Sequence, residues 1–263
     1  MKMLRFFYPA AAVAVASVAL QAAPETEAAA GRALMKRHAD AIVGVELVVT
    51  VKMKMGEREA PPSERRIEVN GTVISPGGLT VTSLAGVDPQ VQFDSLRAAQ
   101  GSLRGVEFVG AEFKEVKLRL ADGKEVPARF VMKDADLDLA FMAPETEEAG
   151  RVFPAVNLGE AAEGQVLGNY FFVARASKSL QRVPVVRATE VLGIVEKPRR
   201  FYLLTEQSPG TPVFDPQGKV LGISLQHFAN GRITGMVVLP APDIADMAKQ
   251  AATMQATGKP AQP

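Results

Sequence analysis

An all-β fold, a sandwich or a pair of barrels, is predicted by three observations. Runs of β-branched and alternating residues are short, Pro/Gly turn signals separate them, and "ETEEAGRV" near residues 145–152 divides the strands into two sets. The chain has 263 residues, of which 47% are hydrophobic, enough for one large core or two small ones.

The elements follow in order. Lys2 and Arg5 precede an apolar run that ends near Ala22, with small residues at Ser17 and Ala19. This layout predicts a secretory signal peptide over residues 1–22, with an uncleaved membrane anchor as the alternative. Both place the mature chain outside the cytoplasm, in the periplasm or the extracellular medium. Residues 24–40 predict a short helix with Leu34 and Met35 on one side, and His38 between Arg37 and Ala39 reads as a surface histidine.

A first β set spans residues 42–145. "IVGVELVVTVKMKM" and "IEVNGTVISPGGLTVTS" predict strands and a Pro-Gly hairpin. "KEVKLRLADGKEVPARFVMKD" alternates at Val116, Leu118 and Leu120 up to an Asp-Gly turn, then at Val126, Ala128 and Phe130 beyond it. Between them, residues 89–113 read as a surface insertion with one helical turn around Ser95–Ala99. A second β set spans residues 150–242, followed by a helix over 243–254 capped by Asp243 and a disordered tail over 255–263.

Composition removes several functions. Lys and Arg total 30 against 29 Asp and Glu, so no field of one sign exists to hold nucleic acid or an anionic membrane surface. With no Cys and only two His, disulfides, thiol nucleophiles and zinc sites drop out; no metal and no cofactor are implied.

Four stretches in sequence carry a family resemblance: "NGTVISPGGLTVTSLAGVD", "LRLADGKEVPARFVMKDADLDLAFM", "EQSPGTPVFDPQGKVLGIS" and "GMVVLPAPDIADMA". Together, from about Ile42 to Met247, they resemble the trypsin-like serine proteases of the HtrA (DegP-like) type. The resemblance implies the chymotrypsin/trypsin-like fold: two six-stranded antiparallel β-barrels with an active-site cleft between them, a short N-terminal helix and a C-terminal helix. No PDZ-like segment is expected after the barrels.

Serine acyl transfer needs a base, a carboxylate to orient it, a nucleophile and N–H donors for the oxyanion. The family's His falls on Ala85, which accepts no proton, and its Asp falls on Asp138. Without an imidazole to orient, Asp138 is expected to bind nearby backbone N–H groups or Ser/Thr hydroxyls. The family's Ser falls on Pro209, which lacks both the hydroxyl and the backbone N–H of an oxyanion hole. The other oxyanion donor falls on Gln207, less tolerant than Gly of a positive φ, and a further Gly becomes Thr211.

The resemblance therefore implies a pseudoprotease that binds or regulates an extracytoplasmic protein or peptide. The alternative is a serine hydrolase with a rearranged site, in which a register slip makes Ser208 the nucleophile. Leu225, Gln226 and His227 match the strand that pairs with substrate in the family and are the candidates for a peptide groove. The Arg199-Arg200-Phe201-Tyr202 stretch reads as a solvated turn entering a strand, with an anion contact as the alternative.

Overall fold

A computed structural model of the chain describes residues 19–99, 103, 105–145 and 151–257. The first 18 residues of the expected leader lie outside the described residues. Helix α1 (Ala19–His38) and a single 3-10 turn (Ala39–Ala41) lead into the first barrel.

That barrel contains β1 (Ile42–Met55), the short β2 (Arg58–Glu59), β3 (Ser63–Val73), β4 (Thr80–Ser83), β5 (Val106–Arg119), β6 (Glu125–Asp134) and β7 (Leu139–Pro144). Its strands run in the order β1-β3-β4-β7-β6-β5, and antiparallel pairing of β5 with β1 closes the ring, with β2 hanging on the far end of β1. Helices α2 (Leu84–Val87) and α3 (Pro89–Ala99) lie between β4 and β5.

The second barrel contains β8 (Asn169–Arg175), β9 (Pro184–Val195), β10 (Phe201–Leu204), β11 (Pro212–Phe214), β12 (Val220–Ala229) and β13 (Arg232–Pro240), closed in the order β10-β13-β12-β11-β8-β9. Helix α4 (Ala241–Thr257) follows. Taking the six strands of each ring in chain order, both rings share one circular sequence: first, second, third, sixth, fifth, fourth. The chain is thus built twice on one antiparallel plan, and two closed six-stranded barrels are the chymotrypsin-like fold.

Turn chemistry explains the hairpins. At the β5–β6 turn Gly123 takes φ +82°, and the Asp122 carboxylate accepts the Lys124 N–H at 2.9 Å. Between β11 and β12 the Asp215 carboxylate accepts the N–H of both Gln217 and Lys219, with Gly218 at φ +90°.

Alternation then divides the core into three. On β8, Tyr170, Phe172 and Ala174 fill the second barrel, while Phe171 and Val173 point outward. On β7, Ala140 and Met142 fill the first barrel, while Leu139 and Phe141 point outward. These outward residues, with Phe214, Ile223 and Leu239, form the layer between the barrels, closed by Leu34 of α1 and Ile244 of α4.

Several sequence expectations are corrected. His38 is buried, stacked on Phe214 with ring centroids 4.3 Å apart, because it shares a helix face with Leu34, four residues earlier. The 89–113 insertion is an 11-residue helix followed by the start of a 14-residue strand. Residues 151–156 belong with the first barrel, where Phe153 and Val156 donate their N–H groups to the Pro76 and Val73 carbonyls; Ala162 and Leu167 already donate to Val220 and Val191 of the second barrel, whose first strand begins at Asn169.

The C-terminal helix begins at Ala241, with Pro242 in its first turn, where a missing N–H costs no hydrogen bond. Asp243 therefore sits inside that turn and not at the cap, and residues 255–257 continue the helix. The remaining residues of the expected tail, 258–263, lie outside the described residues.

Arg175, on β8, ties the chain entry to the second barrel. Its Nε donates to the Ile42 carbonyl at 2.6 Å, its Nη2 to Ala39 at 2.8 Å and its Nη1 to Arg182 at 3.2 Å.

Candidate active site

Asp138 follows β6, in the turn before β7, and is fully buried. Its left-handed backbone (φ +57°) is a conformation that Asp tolerates better than most side chains. The Ser83 hydroxyl donates to Oδ2 at 2.6 Å, the Ala85 N–H to Oδ1 at 2.7 Å and the Gln226 N–H to Oδ2 at 2.7 Å. Its own carbonyl accepts the Leu84 N–H at 2.9 Å.

One carboxylate thus joins the end of β4, the first turn of α2 and strand β12 of the other barrel. Burial pushes its carboxyl above the usual carboxylate value, opposed by hydrogen bonds from Ser83, Ala85, Gln226 and Leu84. Ala85, itself buried, therefore touches this carboxylate through its amide while presenting only a methyl group.

The segment 205–211 between β10 and β11 carries the other candidates. Pro209 has no N–H. The Gly210 N–H donates to the Ser224 carbonyl at 2.7 Å and the Thr211 N–H to the Ser208 carbonyl at 3.3 Å. Thr211 Oγ1 donates to that same Ser208 carbonyl at 2.6 Å.

Gln207 Nε2 donates to the Met236 carbonyl at 3.1 Å and, at 3.4 Å, to that of Leu204; its Oε1 accepts from Ser224 Oγ at 3.3 Å. Its side chain thereby bridges β10, β12 and β13. The positive φ that was expected to burden Gln207 falls instead on Gly210, at +77°. A Cβ on Gly210 would collide with the Asn70 carbonyl oxygen of β3.

The same loop is stitched to the first barrel. Thr72 Oγ1, fully buried, donates to the Gly210 carbonyl at 2.8 Å. Thr72→Val keeps the shape and removes the donor, so denaturant unfolding is expected to show a loss of about 1–2 kcal/mol. An unchanged midpoint would show that this bond does not hold the barrels together.

Neither imidazole serves Ser208. His38 lies against Phe214, and burial pushes its pKa down to about 4, helped by the Arg37 charge and opposed by Glu160. His227 Nδ1 bonds Thr234 Oγ1 at 2.7 Å, and its ring stands edge-on to Phe201. Among the described residues no base is hydrogen-bonded to Ser208 Oγ.

The three groove candidates do not form one open face. Leu225 turns its side chain into the layer between the barrels, and the Gln226 amide is occupied by Asp138. All three pair with β13, and His227 also bonds Thr234 through its ring, close to where the Ile233 N–H donates to Ser95 Oγ of α3 at 3.1 Å. The helix within the insertion therefore reaches across to the second barrel. Arg200 pairs with Glu196 and Glu163, and Arg199 with Asp243, so this stretch is a neutralised surface turn.

The bonds made by the Ser83, Thr72 and Ser224 hydroxyls have no signal in the sequence. Their roles come from partners 55, 138 and 17 residues away for the three hydroxyls, a separation that local pattern does not carry.

Two closed barrels, a buried Asp presented between them and a Pro/Gly loop facing it from the second barrel define a chymotrypsin-like protein. The trypsin-like peptidase domain profile matches residues 69–223, more than half of the chain, and the chain belongs to that family. A comparison with curated proteins finds no match.

Proposed function

We propose that this chain is an exported, HtrA-type member of the trypsin-like peptidase family that has lost catalysis and acts as a binding or regulatory module in the cell envelope. One observation carries the reading: at the nucleophile position Pro209 offers neither a hydroxyl nor an amide N–H, and the amides of Gly210 and Thr211 are spent on Ser224 and Ser208. The other triad positions agree. Ala85 provides no base, and the Asp138 carboxylate is taken by Ser83, Ala85 and Gln226. Parts that act as a unit fail as a unit, since one missing triad member already removes several orders of magnitude of rate.

Export rests on Lys2 and Arg5 ahead of the apolar run, and the HtrA assignment on the four ordered stretches. The partner is an extracytoplasmic protein or peptide.

Incubation of the purified protein with a fluorophosphonate probe tests the loss of catalysis. No labelling above that of a Ser208→Ala variant is expected. Stoichiometric labelling that disappears in Ser208→Ala would overturn the reading and establish a rearranged hydrolase.

A further inference from the structure

The ring of the first barrel is closed between β5 and β6 by a short ladder alone. Strand β5 pairs with β1 from Val106 to Arg119, but with β6 only where Lys117–Arg119 face Glu125–Pro127. Beyond that point β6 pairs with β7 alone, from Ala128 to Asp134. Two strand edges therefore face each other with no ladder between them among the described residues. Pro127 ends the ladder because it has no N–H to donate, and bulges in the β1–β5 and β6–β7 ladders turn the strands apart.

The gap leads into a cavity of about 810 Å³. That is within the size of ordinary ligand sites. Its floor is apolar: Phe113 and Phe130 meet edge to face at 5.0 Å, beside Val116 and Ala128. Its rim carries both signs where the strands part, Lys133 and Arg129 beside Asp88 and Glu145. Lys133 Nζ lies 4.7 Å from the Phe130 ring centroid and pairs with Asp88 at 2.9 Å. Arg129 gives Nη2 to the Gln255 carbonyl at 3.1 Å, while its Nη1 is buried with no hydrogen-bond partner. Glu145 is the exposed carboxylate of the same rim.

An orphaned guanidinium nitrogen calls for an acceptor, and a carboxylate satisfies it best. Two bare strand edges call for a backbone.

We propose that an extended segment of a partner protein adds as a strand in this gap. It would place an aromatic or aliphatic side chain against Phe113 and Phe130 and a neighbouring carboxylate on Arg129 and Lys133. The site lies in the first barrel and stands whether or not the Pro209 loop is inert.

The test is fluorescence polarisation with the full chain and a fluorescein-labelled decapeptide of alternating phenylalanine and glutamate, beside a twin carrying lysine for glutamate. The glutamate peptide is expected to bind about ten-fold or more tightly than its twin, the size of one charge-assisted hydrogen bond. Arg129→Gln is expected to weaken it about ten-fold, and Ala111→Trp, which fills the cavity, to abolish binding while a thermal melt reports its fold. Arg129→Gln keeps the test decisive should Ala111→Trp not fold. Equal affinity for both peptides, an unchanged Arg129→Gln, or no binding at roughly 100 μM would overturn the proposal. Binding of dodecanoate with neither peptide held would make the cavity an acyl-chain site, and self-association lost in Ala111→Trp without peptide binding would make it a contact between copies; both overturn it.

Discussion

Asp138→Ala is expected to destabilise the protein by about 3–5 kcal/mol, the effect of leaving three buried donors without an acceptor. The donors are the Ser83 hydroxyl and the amides of Ala85 and Gln226, and they come from both barrels, so the loss falls on the join as well as on one turn. Asp138→Asn is the informative partner. Asn tolerates the left-handed backbone and keeps an oxygen for one side of the network, but turns an NH₂ group on the other, so it should lose about 1–3 kcal/mol. Equilibrium unfolding in urea at pH 7 reads both. If each variant lies within about 0.5 kcal/mol of the parent, the linking role is wrong.

The pH dependence of this group has a definite sign. Burial raises the folded carboxyl above its unfolded value, so the native state holds its proton to higher pH. Its contribution is then fullest below the unfolded value and shrinks as pH rises through the folded one. Asp138 therefore gives no drive to acid unfolding.

His38 gives that drive. Its imidazole is pushed down to about 4 from an ordinary 6.5, so between those values the unfolded chain binds a proton that the native chain refuses. Stability is expected to fall by about 3 kcal/mol on going from pH 7 to 4 through this one group. The physical picture is direct: protonation places a cation against Phe214, beside Arg37, with Nε2 already lacking a partner. His38→Phe keeps a ring on Phe214 and removes the titration. Urea midpoints of the two proteins between pH 7 and 4 should diverge on acidification, the parent losing more. Parallel profiles would exclude His38 as the acid-sensitive group.

How far these groups could be read beforehand depended on distance along the chain. The Asp122-Gly123 and Asp215-Gly218 turns, the alternation of Val126, Ala128 and Phe130, and the two β sets gave the double barrel because each signal is local. The charged neighbours of His38 point to the surface, although its spacing from Leu34 puts it on the buried face. In α3 hydrophobicity does not mark the buried face: Ser95 is buried to meet Ile233, while Leu96 remains 45% exposed. Gln207 reads as a poor substitute for Gly, yet its amide spans three strands, a role set by residues up to 29 positions away. The opening between β5 and β6 follows from where a ladder stops, which Pro127 hints at but does not decide alone.

Arg175 also sets an order of events in synthesis. Strand β1 has its partners β3 and β5 once residue 119 has emerged. The carbonyls of Ala39 and Ile42, at the corner just before it, wait for a guanidinium 136 and 133 residues further on. Helix α1 likewise has no floor until Phe171 and Phe214 arrive. A chain leaving the ribosome or a translocon amino end first therefore completes the corner at Ala39–Ile42 only after the second barrel has emerged, and until then helix α1 stays accessible to whatever machinery handles it.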